Sequence, residues 1–149
     1  MSETPDARAH TTPRHLWAVG LVALLWNAMG GYDFVMTQTE NEAYMSNFTP
    51  EQLEFFYGFP AWVVAFWAVA VWGGVIGSVL LLLRKRFAVE AFLLSLIAMV
   101  ITTFHNYVLS NGFEVSGDAF SLAFTAAIFL AAVALLLYAR SMHRRGVLA

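Results

Sequence analysis

The chain has 149 residues, of which 60% are hydrophobic and 12% charged. Soluble domains are about half apolar and about a quarter charged, so a water-soluble fold of this length has too little interior for these side chains. The net charge of −2 and the scattered basic residues argue against a nucleic-acid-binding surface. Because the chain has no cysteine, disulfides, thiolate nucleophiles and iron–sulfur clusters are excluded. We therefore expect one membrane domain.

Four apolar runs predict membrane-spanning helices. They extend over about Leu16–Met36, Pro60–Leu83, Phe87–Leu109 and Ala119–Ala139. Each run has about 20 residues or more, which as a helix crosses roughly 30 Å of hydrocarbon. Lipid offers no hydrogen bonds to the backbone, so these runs have to be helical. The predicted fold class is all-α, an integral-membrane four-helix bundle over residues 16–139, between a cytoplasmic tail (residues 1–15) and a basic cytoplasmic tail (residues 140–149).

The first run has an alternative interpretation as a signal peptide. Arg14 precedes it, and Ala28, Met29 and Gly30 form a small-x-small site of the kind at which signal peptides are cleaved. The apolar stretch continues past Gly30 to Met36, which favours an uncleaved helix.

The basic residues predict the orientation. All eight lie in three places, before the first run, between the second and third, and after the fourth: Arg8, Arg14, Arg84, Lys85, Arg86, Arg140, Arg144 and Arg145. With four spans these places fall on one side of the membrane, which the positive-inside rule makes cytoplasmic. We expect both termini to lie in the cytoplasm and no Lys or Arg to lie on the outer side.

The loop between the first two runs contains the signals of a short periplasmic helix over about Pro50–Tyr57. Thr49 is a favourable N-cap residue, and Gln52 completes a capping box. Pro50 suits the first helical position. We expect this helix to be a structural lid on the bundle, and a cover that faces a substrate is the alternative.

Small residues predict close helix packing. In the second run Gly73 and Gly77 are four residues apart, and Gly74 and Ser78 repeat this spacing one residue further on. The pattern lets helix backbones approach closely. Packing within the bundle is the first interpretation, and contact with a second copy or another subunit is the alternative. Four alanines in the fourth run similarly predict an internal contact: Ala126, Ala127, Ala131 and Ala134.

Polar side chains within the apolar runs mark a candidate solute-binding site: Asn27, Asp33, Thr102, His105 and Asn106. Because polar groups are costly in hydrocarbon, we expect them to face the bundle interior or water. At about 1.5 Å per residue, Asp33, His105 and Asn106 fall in the outer half, which predicts a site that opens to the periplasm. An Asp33–His105 contact would act as a proton relay or pH-sensitive latch. The alternative is that Asp33 lies in water and His105 bonds within the bundle.

The sequence contains no recognisable catalytic or cofactor motif. There are no paired histidines on facing spans for haem, no metal-ligand spacing, no phosphate-binding loop and no Ser, His and Asp set. We expect no enzyme activity, no cofactor and no metal. Trp26, Trp67 and Trp72 lie deep in the runs, where packing or lipid contact is expected and stacking on a sugar is the alternative.

Several short segments resemble a family of small bacterial inner-membrane proteins of this length, many of which are described as sugar transporters. They are Pro13–Trp17, Leu25–Gly30, Met36–Thr39, Asn41–Tyr44, Phe59–Trp62 and Tyr138–Arg140. The resemblance covers nearly the whole chain. It implies a four-helix topology in a bacterial inner membrane and favours transport of a small solute, such as a sugar, but it assigns no binding residues.

The predicted function is therefore transport of a small solute, or binding associated with transport. A non-catalytic membrane subunit or scaffold of a larger complex is the alternative. Four helices make a thin wall around a solute pathway, so we expect a homo-oligomer or a membrane-protein partner in addition to the lipid bilayer.

Overall fold

The structure is a computed structural model that describes residues 12–110, 114 and 117–149. Six α-helices are found in these residues: α1 (Arg14–Gln38), α2 (Glu42–Met45), α3 (Pro50–Tyr57), α4 (Ala61–Leu82), α5 (Phe87–Phe104) and α6 (Ala119–Arg144). Helix α5 continues directly as a π-helix over His105–Leu109. Most of the predicted N-terminal tail lies outside the described residues.

Four of these helices, α1, α4, α5 with its π-helical end, and α6, are long and apolar enough to cross a membrane. This confirms the predicted all-α four-helix bundle. Large apolar side chains on the outer faces of the helices are exposed, as a lipid-facing surface requires, and Leu130 is 71% exposed. Helix α6 ends at Arg144, five residues beyond the predicted span end at Ala139.

The bundle is built around the α4–α5 pair. Helix α4 packs closely against α5 on one side and α1 on the other, whereas α6 packs mainly on α5. Helices α1 and α6 meet through side chains. His15 Nδ1 lies 2.5 Å from the Tyr138 hydroxyl, and the rings of Trp26 and Phe124 have centroids 6.1 Å apart.

The small residues of α4 lie at helix contacts within the bundle. Gly73 faces α5, where an added Cβ would lie 3.1 Å from Ser95 Cβ. Gly77 also faces α5, and its Cβ would lie 2.8 Å from the Phe92 ring. Gly74 faces α1, and a Cβ there would collide with the Asn27 side chain. One glycine-rich stretch thus lets α4 approach both neighbours.

The predicted internal contact of the four α6 alanines is wrong. Ala126, Ala127 and Ala134 are exposed, and Ala131 is only half-buried. Because α6 packs mainly on α5, only one side of α6 is covered, and these alanines lie largely outside that side.

The end of the bundle that carries Arg84–Arg86, which we call the basic end, is closed by an apolar core. Leu16, Leu81 and Ala88 are fully buried there. The C-terminal segment adds Val147 and Leu148, which are 7% and 3% exposed. Its last residue is bound to the α4–α5 loop, since Ala149 N donates to Arg84 O at 3.0 Å and Ala149 O accepts from Arg86 N at 3.2 Å.

The opposite end, which we call the capped end, is covered by α2 and α3. Thr49 Oγ1 accepts from Gln52 N at 3.2 Å, and Gln52 Oε1 accepts from Thr49 N at 3.0 Å. This capping box and Pro50 at the first helical position give α3 the predicted bounds, Pro50–Tyr57. The short α2 is capped by Asn41, whose Oδ1 accepts from Tyr44 N at 3.1 Å.

Candidate functional site

A cavity of about 600 Å³ lies between the spanning helices. It extends from α3 at the capped end to Phe92 and Leu135, where the apolar core of the basic end begins. Small-molecule sites in proteins commonly enclose about 300–1,000 Å³, so the size suits a small organic solute.

Aromatic rings form the roof of the cavity. They come from the loop and helices between α1 and α4: Tyr44, Phe48, Phe55, Phe56 and Phe59. Neighbouring rings contact each other, with centroids 5.4 Å apart for Phe48 and Phe56 and 5.1 Å apart for Phe55 and Phe59. The roof is thus a connected layer, and α3 presents side chains to the cavity as well as covering the bundle.

Further aromatic side chains line the walls: Trp26, Trp67, Phe92, Tyr107, Phe124 and Phe129. Trp67 lies between the roof and α1, because its ring is 6.0 Å from Phe59 and 4.8 Å from Phe34. Trp26 and Trp67 therefore contact the cavity, whereas Trp72 packs over Gly31 and is 38% exposed.

Asp33 is the one carboxylate among the described residues that line the cavity. It is half-buried, and its Oδ1 accepts a hydrogen bond from the Tyr44 hydroxyl. This bond joins α1 to the roof through α2. Burial, together with the hydrogen bond to Asp33 and the charge of that carboxylate, raises the pKa of Tyr44 well above its usual value, so the phenol keeps its proton.

Asn27 lies deeper, at the contact of α1 with α4. Its Nδ2 donates to Ala23 O at 2.8 Å and to Ser78 Oγ at 3.3 Å. Ser78 Oγ in turn donates to Gly74 O at 2.8 Å. Asn27 thus has two roles in the structure, since it joins two helices and also lines the cavity.

Polar side chains of α5 and of its π-helical end line the cavity: Ser95, Thr102, Thr103 and Asn106. Two of the hydroxyl groups are occupied within the protein, because Ser95 Oγ donates to Ala70 O and Thr102 Oγ1 donates to Met99 O. The first of these bonds also links α5 to α4. Asn106 lies in the π-helical segment, a type of local widening that is frequent at functional sites.

The structure gives Asp33 and His105 different partners. His105 is 8% exposed and packs edge-on against the rings of Trp62 and Phe59, at 5.3 and 6.1 Å. Its Nδ1 lies 3.1 Å from Asn106 Oδ1. Within the part of the chain that the structure describes, no hydrogen bond or ion pair joins Asp33 to His105. The arrangement matches the alternative in which His105 bonds within the bundle.

Four of the five residues singled out from the sequence line the cavity: Asn27, Asp33, Thr102 and Asn106. Neither Tyr44 nor the role of the aromatic roof was predicted from the sequence. Tyr44 follows Asp33 by 11 residues and lies in the short helix α2, and no periodicity links the two. Aromatic side chains such as those in residues 48–59 are also favoured at a membrane interface, so their density alone does not indicate the roof of a cavity.

Comparison of the chain with models of protein families, with curated proteins and with solved structures finds no match in any of the three.

Proposed function

We propose that this protein binds a small organic solute in the cavity at the capped end and takes part in the transport of that solute across a bacterial inner membrane. The observation that carries the proposal is the 600 Å³ cavity, which lies inside a helical membrane domain and is lined by both aromatic and polar side chains. Sites for small ligands typically combine an apolar lining with a few polar groups.

The closure of the bundle supports a role in transport. The basic end is filled by side chains and by the C-terminal segment, whereas the cavity lies against the roof at the other end. In the proposed orientation the basic end faces the cytoplasm, because basic residues are retained on that side. The cavity then belongs to a state that is closed towards the cytoplasm, as alternating access requires.

A pair of α6 variants tests the proposal. Ala132 lines the cavity, whereas Ala134 is exposed. The two residues are two positions apart on the same helix, so their side chains are rotated by about 200° about the helix axis and point to opposite sides. Ala132→Phe fills the cavity, and Ala134→Phe adds the same ring outside it. Purified protein is screened by thermal shift with sugars, amino acids, organic cations and organic anions, because a ligand stabilises the folded state that binds it.

We expect at least one solute to raise the melting temperature of the native chain and of Ala134→Phe, but not that of Ala132→Phe. The same solute should enter proteoliposomes that contain the native chain faster than liposomes without it. The proposal is contradicted if no solute class stabilises the native chain, or if Ala132→Phe responds as the native chain does. Binding without flux, together with co-purified subunits, would favour the scaffold alternative.

A further inference from the structure

Resting on the proposed function, we infer the class of the solute: a protonated amine with an apolar body, whose ammonium group lies at Asp33 and whose body lies among the aromatic rings of the cavity.

The charge of the lining is the first argument. Among the described residues that line the cavity, Asp33 is the one with a formal charge at neutral pH, and none is Lys, Arg or His. Tyr44 occupies Oδ1 of this carboxylate, while Oδ2 has no partner in the described part of the chain. A half-buried carboxylate with an open acceptor position attracts a cation and repels an anion.

The hydrogen-bonding pattern is the second argument. The hydroxyl protons of Ser95, Thr102 and Thr125 are donated to main-chain carbonyl groups, and that of Ser121 is donated to Asp118 Oδ1 at 2.7 Å. Both amide protons of Asn27 are also used. These groups line the cavity. Because their protons are already donated within the protein, they can only accept hydrogen bonds from a ligand.

This excess of acceptors separates an amine from a sugar. A sugar hydroxyl both donates and accepts, so its recognition needs donors and acceptors in similar numbers. An ammonium group donates three hydrogen bonds and accepts none, which suits a lining rich in acceptors. Among the described lining residues, the side-chain donors that remain are the Thr37 and Thr103 hydroxyl groups, the Asn106 amide and the indole N–H groups of Trp26 and Trp67, and none of them is charged.

The aromatic lining is the third argument. The ring of Tyr44 adjoins the Asp33 carboxylate through their hydrogen bond, and the Phe48 ring follows at 5.9 Å. Ring faces attract cations, and they also exclude water from apolar groups. On the α6 side the stacked rings of Phe120 and Phe124 line the cavity and are exposed. An apolar body is accommodated along these rings.

Four probes of defined charge test the inference on the native chain: 2-phenylethylammonium, 2-phenylethanol, phenylacetate and glucose. The first three share one body and carry a positive, a neutral and a negative head group. Binding to the protein in nanodiscs is measured at pH 7 by calorimetry, and empty nanodiscs correct for partition into lipid. We expect the ammonium probe to bind most tightly, and phenylacetate and glucose to bind least.

Asp33→Asn keeps the shape and the acceptor for Tyr44 but removes the charge. It should weaken binding of the ammonium probe roughly 10- to 100-fold, the range expected for a lost charged hydrogen bond, and leave 2-phenylethanol nearly unchanged. Ala132→Phe should abolish binding of both the ammonium probe and 2-phenylethanol, whereas Ala134→Phe should leave the binding of both unchanged. The comparison of the four probes on the native chain needs no variant, so it tests the amine class even if Asp33→Asn does not fold.

Each outcome has one consequence. Tighter binding of phenylacetate or glucose than of the ammonium probe, abolished by Ala132→Phe, overturns the amine class and leaves the proposed solute site standing. Equal loss of 2-phenylethanol and the ammonium probe in a folded Asp33→Asn protein also overturns it, because the charge would then have no specific role. Binding of none of the four probes overturns it as well. Binding that Ala132→Phe does not disturb contradicts the proposed function itself.

Discussion

The hydrogen bond between Tyr44 and Asp33 is a single contact that joins the roof of the cavity to a spanning helix. The pKa of Tyr44 is raised above its usual value of about 10, first by burial and then by Asp33. A raised pKa means that the contribution of Tyr44 to stability is fully present below about pH 10 and is lost as the pH rises through the pKa of the folded state.

Tyr44→Phe should therefore lower the free energy of unfolding by about 1 kcal/mol at pH 7, as is typical of a lost hydrogen bond. The difference in melting temperature between the native chain and this variant should stay constant up to about pH 10 and shrink above it. Tyr32→Phe is the matched control, because the Tyr32 ring is exposed and packs edge-on against Tyr44, and Tyr32 makes the smallest contribution to the raised pKa of Tyr44. If the difference in melting temperature stayed constant above about pH 10 as well, the hydrogen bond from Tyr44 to Asp33 would not be the source of the stability.

Two glycines test how tightly α1 and α4 pack. A Cβ at Gly74 would collide with the Asn27 side chain, whereas a Cβ at Gly30 would have ordinary contacts, the nearest at 3.8 Å to Val71. Gly74→Ala should lower the free energy of unfolding by about 1–3 kcal/mol through overpacking. Gly30→Ala should raise it by up to about 1 kcal/mol, since alanine favours the helix. If thermal unfolding showed both variants to be less stable than the native chain, or both to be more stable, the result would be inconsistent with this packing.

At the scale of elements, three helices end in the same way. The residue after the C-cap of α1, α4 and α6 adopts a positive φ: 53° at Glu40, 56° at Arg84 and 76° at Gly146. At Arg84 the motif is complete, with Arg84 N donating to Leu81 O at 3.0 Å and Lys85 N donating to Leu80 O at 2.8 Å. This is the Schellman arrangement, in which glycine is usual at the position with positive φ.

Arg84 therefore tests the cost of this turn. Arg84→Gly relieves the left-handed conformation and should be at least as stable as the native chain. Arg84→Val should be about 1–2 kcal/mol less stable, because a β-branched residue is disfavoured at positive φ. Both variants lose the hydrogen bond from Arg84 to Thr12 Oγ1, so the comparison isolates the backbone. If the two variants had equal melting temperatures in detergent, the left-handed backbone conformation at residue 84 would have no measurable effect on stability.

The elements were predictable where their signals are local. The apolar runs gave the spanning helices, and Thr49 with Gln52 gave the start of α3. The left-handed turns at Glu40 and Arg84, which follow α1 and α4, were not predictable in the same way, since neither residue is the glycine or asparagine that is usual at such a position. The π-helix at His105–Leu109 has no sequence signal of comparable strength.

At the scale of the whole molecule, the candidate site was predictable only in part. The cost of polar groups in hydrocarbon placed Asn27, Asp33 and Asn106 inside the bundle, and all three line the cavity. The same argument gave no distances between helices, so it did not separate His105 from the cavity lining. The roof depends on the fold of residues 42–59 over the bundle, which is a tertiary arrangement that the spacing of residues does not encode.

The proposed orientation of the whole molecule leads to the last prediction. The chain has no cysteine, so cysteines introduced singly can report on topology against a silent background. Ser46 lies at the capped end, and Lys85 and His143 lie at the basic end, and all three are exposed. Because basic loops stay in the cytoplasm, an impermeant thiol reagent added to intact cells should label Ser46→Cys and neither Lys85→Cys nor His143→Cys.

All three variants should be labelled after the membrane is permeabilised, which controls for the reactivity of each cysteine. Labelling of Lys85→Cys or His143→Cys in intact cells would reverse the orientation, and the aromatic roof and Asp33 would then face the cytoplasm.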